Sequence, residues 1–378
     1  MSSEPIRVLQ VIGAMDRGGA ETLVMNLMRN IDRARVQFDF LVNETRKCDY
    51  DDEIESLGGR IWRIPRFELF NTPSYVRACK EFFRVHQYPI VHGHIGFPAA
   101  IYLSYARQNG AYTIAHSHAQ NYPASPEQLV FRAVSHPVRH KADYFIACSE
   151  QAGIDRFGRE VVNGPNFHLL KNGIDINVIR FSSLSRSKVR NELGIGESAP
   201  VFGHVGRLTP VKNHAYLFEV FKEVKRQLPD AVLLLCGRGE IENELKERVR
   251  ELGLSDSVRF LGVRDDVPAV LSSLDVFVFT SFSEGLSNAV VEAQASGLPC
   301  VISTGVPQLA AYTTQASFLD LSAGAERWAA ACLDAYERRG DADRAKAFLN
   351  ARDAGFDIAE SAKWLQEFYL EKAARNAR

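Results

Sequence analysis

Short apolar runs alternate along the chain with stretches in which apolar residues recur every three to four positions. Such alternation spells strand–helix–strand units, and strands written as continuous apolar segments belong to parallel sheets covered on both faces. In the first half the pattern predicts strands at residues 6–13, 38–43, 60–64, 90–94, 112–118, 144–149 and 168–171. Helices are expected to begin near Gly19, Pro73, Pro98, Pro126 and Glu150, several of them at the proline or small residue that a first helical turn accepts. The series restarts at 200–206 and continues through 231–236, 258–261, 276–280 and 300–303, a second open sheet.

Asn172-Gly173 marks a turn between the two series, and the Ser-rich stretch 182–187 follows it. The expected domains are therefore 1–175 and 176–355. From Asp341 the pattern is helical to the end, with a break near Gly355. In that tail Ile358, Ala362, Leu365, Phe368 and Tyr369 form an apolar stripe that must pack on something, and residues 356–378 are expected to return to the first domain. The fold class is thus α/β, two Rossmann-like doubly wound parallel-sheet domains facing a cleft, where open sheets bind ligands outside the carboxyl ends of their strands.

Composition supports this picture. With 378 residues, 46% hydrophobic and 24% charged, the chain can fill two cores and is neither disordered nor a disulfide scaffold. Lys+Arg 45 against Asp+Glu 46 gives a net charge of -1, so no global field draws it to nucleic acid or an anionic bilayer. Six scattered cysteines without a C-x-x-C pair read as buried thiols in a reducing compartment. The first residues lack a signal-type apolar run, so the expected location is cytoplasmic. The stretch 85–106 has no Asp, Glu, Lys or Arg, but its histidines and prolines suit a strand, loop and helix better than a membrane span.

Candidate chemistry sits where strands end. Gly18-Gly19-Ala20-Glu21 precedes a helix, and paired glycines there expose amides to an anion or a sugar, although a tight turn explains them equally well. His92-Gly93-His94 and His116-Ser117-His118 close consecutive strands. Residues two apart share a face, so each pair offers two imidazoles to a metal or a substrate. Without a neighbouring Cys, acid or H-E-x-x-H, a zinc site has little support, and His92 and His94 read as core or solvated histidines. Gly206-Arg207 with Lys212-Asn213 places two cations beside a helix start, an anion site that is not a Walker loop. Cys236-Gly237-Arg238-Gly239 carries two of three fingerprint glycines. In 281–299, Glu284 and Gly285 form a turn, the amides of Gly285, Leu286 and Ser287 open the next helix, and Glu292 lies among Val290, Val291, Ala293 and Ala295. A carboxylate on such an apolar helix needs a partner, and the two glutamates suit the paired hydroxyls of a ribose or hexose.

Taken in order, Gly-Gly-Ala-Glu, Gly-Arg with Lys212-Asn213, and Glu284-x7-Glu292 resemble the GT-B glycosyltransferases of family four, above all the bacterial exopolysaccharide and capsule enzymes, over nearly the whole chain. The resemblance implies a retaining, metal-independent hexosyltransferase. It implies a UDP- or GDP-sugar type donor bound by the second domain, no further cofactor, and a glycan or lipid-linked acceptor on the first. Arg207 and Lys212 would bind the diphosphate and stabilise its departure. Glu284 would hold the transferred sugar and Glu292 the ribose diol, with Gly285, Leu286 and Ser287 beside them. Gly18 and Gly19 would approach the diphosphate, and His118 would lie beside the sugar, with His116 close enough to leave the register open. After Pro307 the chain departs from the family's Gly-rich turn and runs through Tyr312 to Trp328.

Three other α/β classes compete with this resemblance. A metal-dependent GT-A enzyme needs an Asp-x-Asp at a strand end, and Asp341-Ala342-Asp343 reads instead as a helix cap. A GT-B epimerase should lack the Arg207/Lys212 and Glu284/Glu292 set, and a non-catalytic sugar-nucleotide binder would release no nucleotide. Arg60–Phe67 and Arg132–Lys141 mix cations with apolar groups and could touch the inner membrane, although a strand edge and an amphipathic helix explain them more simply.

Overall fold

A computed structural model describes residues 4–118, 136–340 and 344–376. It divides into two compact units, one of residues 1–173 with 357–378 and the other of residues 174–356. The helix start expected near Pro126, Arg132 at the head of the Arg132–Lys141 segment and the Asp341–Asp343 segment lie outside the described residues.

The first unit is a seven-stranded sheet, β1 (Ile6–Ile12), β2 (Val36–Val42), β3 (Ile61–Arg63), β4 (Ile90–Gly93), β5 (Tyr112–Ser117), β6 (Tyr144–Ala147) and β7 (Phe167–Leu169). Its order is β3-β2-β1-β4-β5-β6-β7, and each described pairing is parallel. The strand order reverses between β1 and β4, the switch point where an open α/β sheet leaves a crevice at its carboxyl edge. Helices cover both faces. Thr72–Val85 and Ala99–Gln108 bury Tyr75, Cys79, Phe83, Tyr102 and Leu103 against one, and Gly19–Asn30 buries Leu23, Val24, Leu27 and Met28 against the other.

The final helix, Ile358–Asn376, joins that second face. Its predicted stripe, Ile358, Ala362, Leu365, Phe368 and Tyr369, is buried with Phe38, Ile90 and Ile114. Full burial of such a side chain contributes roughly 1.5–3 kcal/mol, so the stripe anchors the tail firmly. Gly173 allows the join, since a side chain there would press on the Ile358 backbone at 2.8 Å.

The second unit is a six-stranded parallel sheet in the order β10-β9-β8-β11-β12-β13. Its strands are β8 (Val201–Val205), β9 (Val232–Cys236), β10 (Val258–Gly262), β11 (Val276–Phe279), β12 (Cys300–Ser303) and β13 (Ala316–Leu319). Strand β13, absent from the sequence reading, is what the unusual 312–321 segment becomes. Its side chains are only half buried, so it carries a weak apolar signal. Trp328 is fully buried in the next helix, Ala325–Glu337, with its Nε1 donating to Asp320 O at 3.0 Å. The buried Arg190 pairs with Asp275 at 2.8 Å and donates to the carbonyls of Ser273, Gly196, Glu197 and Ala199, so its charge serves the frame rather than a ligand.

Most strands stop one or two residues before the apolar run does. Gly13, His94, His118, Ser149, Gly206 and Thr280 consequently stand just past the ladders, and Ser149 caps helix Glu150–Phe157 by accepting from Ala152 N at 3.1 Å. The short helix Asp51–Ser56 was also not anticipated.

Candidate active site

In the second unit β8 and β11 are neighbours, so the loops leaving their carboxyl ends meet. After β8 the chain makes a short 3-10 turn, Pro210–Lys212. It then enters helix His214–Gln227 through Asn213, whose φ of 54° lies in the left-handed region that Asn tolerates better than most side chains. After β11, residues 280–287 lead into helix Asn288–Ala295.

Hydrogen bonds lace the two loops together. Thr280 Oγ1 donates to the carbonyls of Lys212 (3.3 Å) and Asn213 (3.1 Å), Ser281 Oγ to Val211 O (2.9 Å), and Phe282 N to the same oxygen (2.8 Å). The result is a charged pair at the junction. Lys212 Nζ donates to Glu284 Oε1 at 2.6 Å, Ser281 Oγ reaches that oxygen at 2.5 Å, and the ammonium stands 4.9 Å above the Phe279 ring. Both charged side chains are largely buried, which strengthens their attraction relative to a surface pair.

Around this pair the other expected residues take different positions. Arg207 is exposed in the loop after β8. Ser287 occupies the N-cap of helix Asn288–Ala295, but its side chain accepts no hydrogen bond from the first turn, so the amides there remain suited to an anion. Glu292 keeps some surface, yet desolvation pushes its carboxyl up to about 7. The glycines of 236–239 serve loop packing, since a side chain on Gly237 would collide with Gly206 O and one on Gly239 with Leu208 O. Gly206 N donates to Cys236 O and Leu208 N to Arg238 O, both at 2.9 Å, so these glycines hold the Arg207 loop in place.

Sequence reasoning overlooked two side chains beside Lys212. His204 stacks on Phe279 with centroids 4.8 Å apart, and His214 meets it edge to face at 4.6 Å. Burial, reinforced by the Lys212 charge, pushes His214 down to about 4 and His204 well below its ordinary value, so both stay neutral. Their positions, two residues before Gly206 and one after Asn213, were the available signal.

In the first unit Gly18 is the extended N-cap of helix Gly19–Asn30, with no side chain capping the first turn, and a Cβ on Gly19 would meet nothing within 4 Å. Packing alone does not demand glycine at Gly19. The four histidines of β4 and β5 form one cluster. Neighbouring ring centroids lie 3.9 Å apart for His116 and His118, 4.4 Å for His92 and His94, and 5.0 Å for His94 and His118. His116 is buried inside β5, whereas His118 stands past its end and is partly exposed. Nitrogens of His92, His94 and His116 lie within 4.8 Å of one another, a spacing that could hold a metal ion. The rings lie stacked, however, and metal ligands turn their nitrogens toward one point. His94 also has both nitrogens within 2.8 Å of His118 and Gln10.

A second Asp-x-Asp, Asp49-Tyr50-Asp51, had escaped the reading. Asp51 pairs with Arg63 at 2.5 Å and accepts from Cys48 N at 2.8 Å, which commits it to a loop anchor.

Residues 17–178 match the family model described as Glycosyltransferase Family 4, and residues 185–345 match that of Glycosyl transferases group 1. The Bacillus subtilis protein named glycosyltransferase EpsF is 36% identical over 316 residues, covering 82% of each chain. An Escherichia coli UDP-Gal:alpha-D-GlcNAc-diphosphoundecaprenol alpha-1,3-galactosyltransferase is 36% identical over 147 residues, 38% of each chain. Among solved structures, Anabaena HepE in complex with UDP and glucose superposes with a TM-score of 0.76 at 20% identity, over 97% of this chain and 100% of that one. WaaG, a glycosyltransferase involved in lipopolysaccharide biosynthesis, gives 0.72 at 16% identity, over 96% and 99%.

Two Rossmann-like parallel-sheet domains of this kind define the GT-B class of transferase. The chain belongs to the family 4 glycosyltransferases and is a transferase enzyme. Epimerisation and non-catalytic binding are not favoured.

Proposed function

We propose that the protein is a retaining hexosyltransferase that moves sugar from a nucleotide-diphosphate donor to a glycan or lipid-linked glycan, in the synthesis of exopolysaccharide or another cell-surface polysaccharide. The observation that carries this reading is the Lys212–Glu284 pair at the start of helix Asn288–Ala295. It sets a cation for a diphosphate 2.6 Å from an acceptor for sugar hydroxyls. When donor binds, Lys212 turns to the phosphates with Arg207, and both stabilise the charge that grows as the diphosphate leaves. The amides from Gly285 to Ser287 add the helix N-terminus to that field. Glu284, released from Lys212, takes hydroxyls of the transferred sugar, and Glu292 takes the ribose diol. On the first domain, Gly18 and Gly19 serve the diphosphate and His118 the sugar. Retention of configuration follows from the family resemblance.

No divalent ion or other cofactor is needed where two cations and helix amides neutralise the leaving group. Activity is expected to survive excess EDTA, and a loss restored by Mn²⁺ would overturn this part. The acceptor side is supported by the Escherichia coli relative, whose substrate is diphosphoundecaprenol-linked. No helix among the described residues is long and apolar enough to cross a membrane. Peripheral membrane contact, expected at Arg60–Phe67 and Arg132–Lys141, is proposed here to extend to Leu69 and Phe70, 56% and 86% exposed and close in sequence to Arg66 and Arg77. Phe70→Ser should reduce sedimentation with anionic vesicles. Mass spectrometry after incubation with a panel of nucleotide sugars tests the reading as a whole, which fails if no hexose is transferred from any of them.

A further inference from the structure

The hydrogen bonds of the histidine cluster run in one direction, and Gln10 sets it. With the Gln10 amide oriented so that Oε1, which can only accept, faces His94 at 2.8 Å, His94 carries its proton on Nε2. The Gln10 Nε2 can only donate, and does so to Tyr369 Oη at 3.3 Å. That hydroxyl passes its own proton toward His92 Nδ1 at 2.5 Å, which leaves His92 protonated on Nε2. In the other direction, His94 with its proton on Nε2 has a lone pair on Nδ1, so His118 must donate to it from Nε2 at 2.8 Å. His118 then keeps its lone pair on Nδ1, a buried atom without a hydrogen-bond partner among the described residues. The chain from His118 through His94, Gln10 and Tyr369 to His92 is continuous, and each tautomer follows from its neighbour.

We propose that Gln10 and Tyr369 are positioning residues that, through His94, hold His118 as the Nε2–H tautomer and present its Nδ1 as an acceptor for a hydroxyl of the transferred sugar. This rests on the assignment of His118 to the active site. A ring free to change tautomer would offer a donor to phosphate as readily as an acceptor to hydroxyl, and the chain removes that ambiguity. Burial keeps the relay neutral. Desolvation pushes His92 and His118 down to about 3, the latter helped by Arg156, and holds His94 and His116 well below their ordinary value. It also raises Tyr369, which therefore keeps the proton it donates. His116 lies against His118 at 3.9 Å and limits its tilt. Since Tyr369 belongs to the C-terminal helix, the element that closes the core also fixes the chemistry of a residue far away in sequence.

The test is nitrogen NMR of the full chain labelled at its histidine rings. The native spectrum should show His118 and His94 each protonated on Nε2 alone, with a through-hydrogen-bond coupling between His118 Nε2 and His94 Nδ1. Tyr369→Phe should leave both rings as tautomer mixtures and lower kcat about tenfold with the donor KM unchanged. Gln10→Met should do the same and serves if the first variant folds poorly. Protonation of His118 on Nδ1, signals unmoved in both variants, or one tightly held equivalent of zinc lost in His92→Asn would each overturn the proposal. Full transfer by His118→Ala, beside the expected tautomers in the native chain, would instead refute the active-site role and leave the relay standing.

Discussion

At the scale of single residues, the proposed site relies on the cations of the second domain to neutralise the leaving diphosphate. Lys212→Ala and Arg207→Ala should each lower the transfer rate at saturating donor by ~10²-fold or more, because each removes a charge aimed at the leaving group. Near-normal turnover in both variants would remove the anion site from this account. The glutamates should separate by ligand. Glu284→Gln weakens the intact nucleotide sugar but spares the nucleoside diphosphate, since losing Glu284 also frees Lys212 from its partner. Glu292→Gln weakens both, and calorimetric titration distinguishes the two patterns.

Glu292 also carries a pH signature. Its carboxyl is raised from an ordinary 4.5 to about 7. In the free protein, then, the folded state holds a proton that the unfolded chain has already lost. The stabilisation this gives is complete below 4.5 and disappears as pH rises through about 7. Chemical denaturation across that window should show a fall in stability that Glu292→Gln reduces, and equal slopes in the two proteins would contradict the burial argument.

At the scale of elements, the loops after β8 and β9 depend on backbone contact. Gly239 lies against the Leu208 carbonyl, and a methyl group there must displace the Arg207 loop. Gly239→Ala should therefore cost about 1–3 kcal/mol in denaturant unfolding and weaken the nucleoside diphosphate as well. Unchanged stability and binding would mean that the loop relaxes freely. Elements were legible in the sequence to the degree that their apolar signal was strong. The buried strands β1, β4, β8, β11 and β12 were read from continuous apolar runs, and the half-exposed edge strands β3, β7 and β10 were read as well, whereas β13, with Ser317 within its four residues, was not. Several carboxyl ends were overextended because Gly13, His94, His118 and Thr280 stand past the last ladder pairing, and the side-chain pattern does not mark where pairing stops.

For the molecule as a whole, the C-terminal helix is part of the first unit's core. Deletion from Ala359 onward removes four of the five buried stripe residues together with the Tyr369 hydroxyl. The truncated chain should lose its cooperative melt for the first unit while the second unit still binds nucleoside diphosphate. A native melt after truncation would show that the stripe contributes little.

The local period of apolar residues was enough to determine the strands, the helices and their repetition in two series, because burial on a sheet or helix face imposes that period directly. The spacing of Arg207, Lys212, Glu284 and Glu292 was likewise readable, since each follows a strand end. What the sequence could not contain is which of these ends meet. Lys212 and Glu284 are 72 positions apart, and they touch because β8 and β11 pair, a choice made by competition among all the apolar strands at once. His92 and Tyr369 are separated by 277 positions. Their bond exists only after the last helix has buried its stripe, so the tautomer of each histidine is a property of the packed core and of nothing local in the chain.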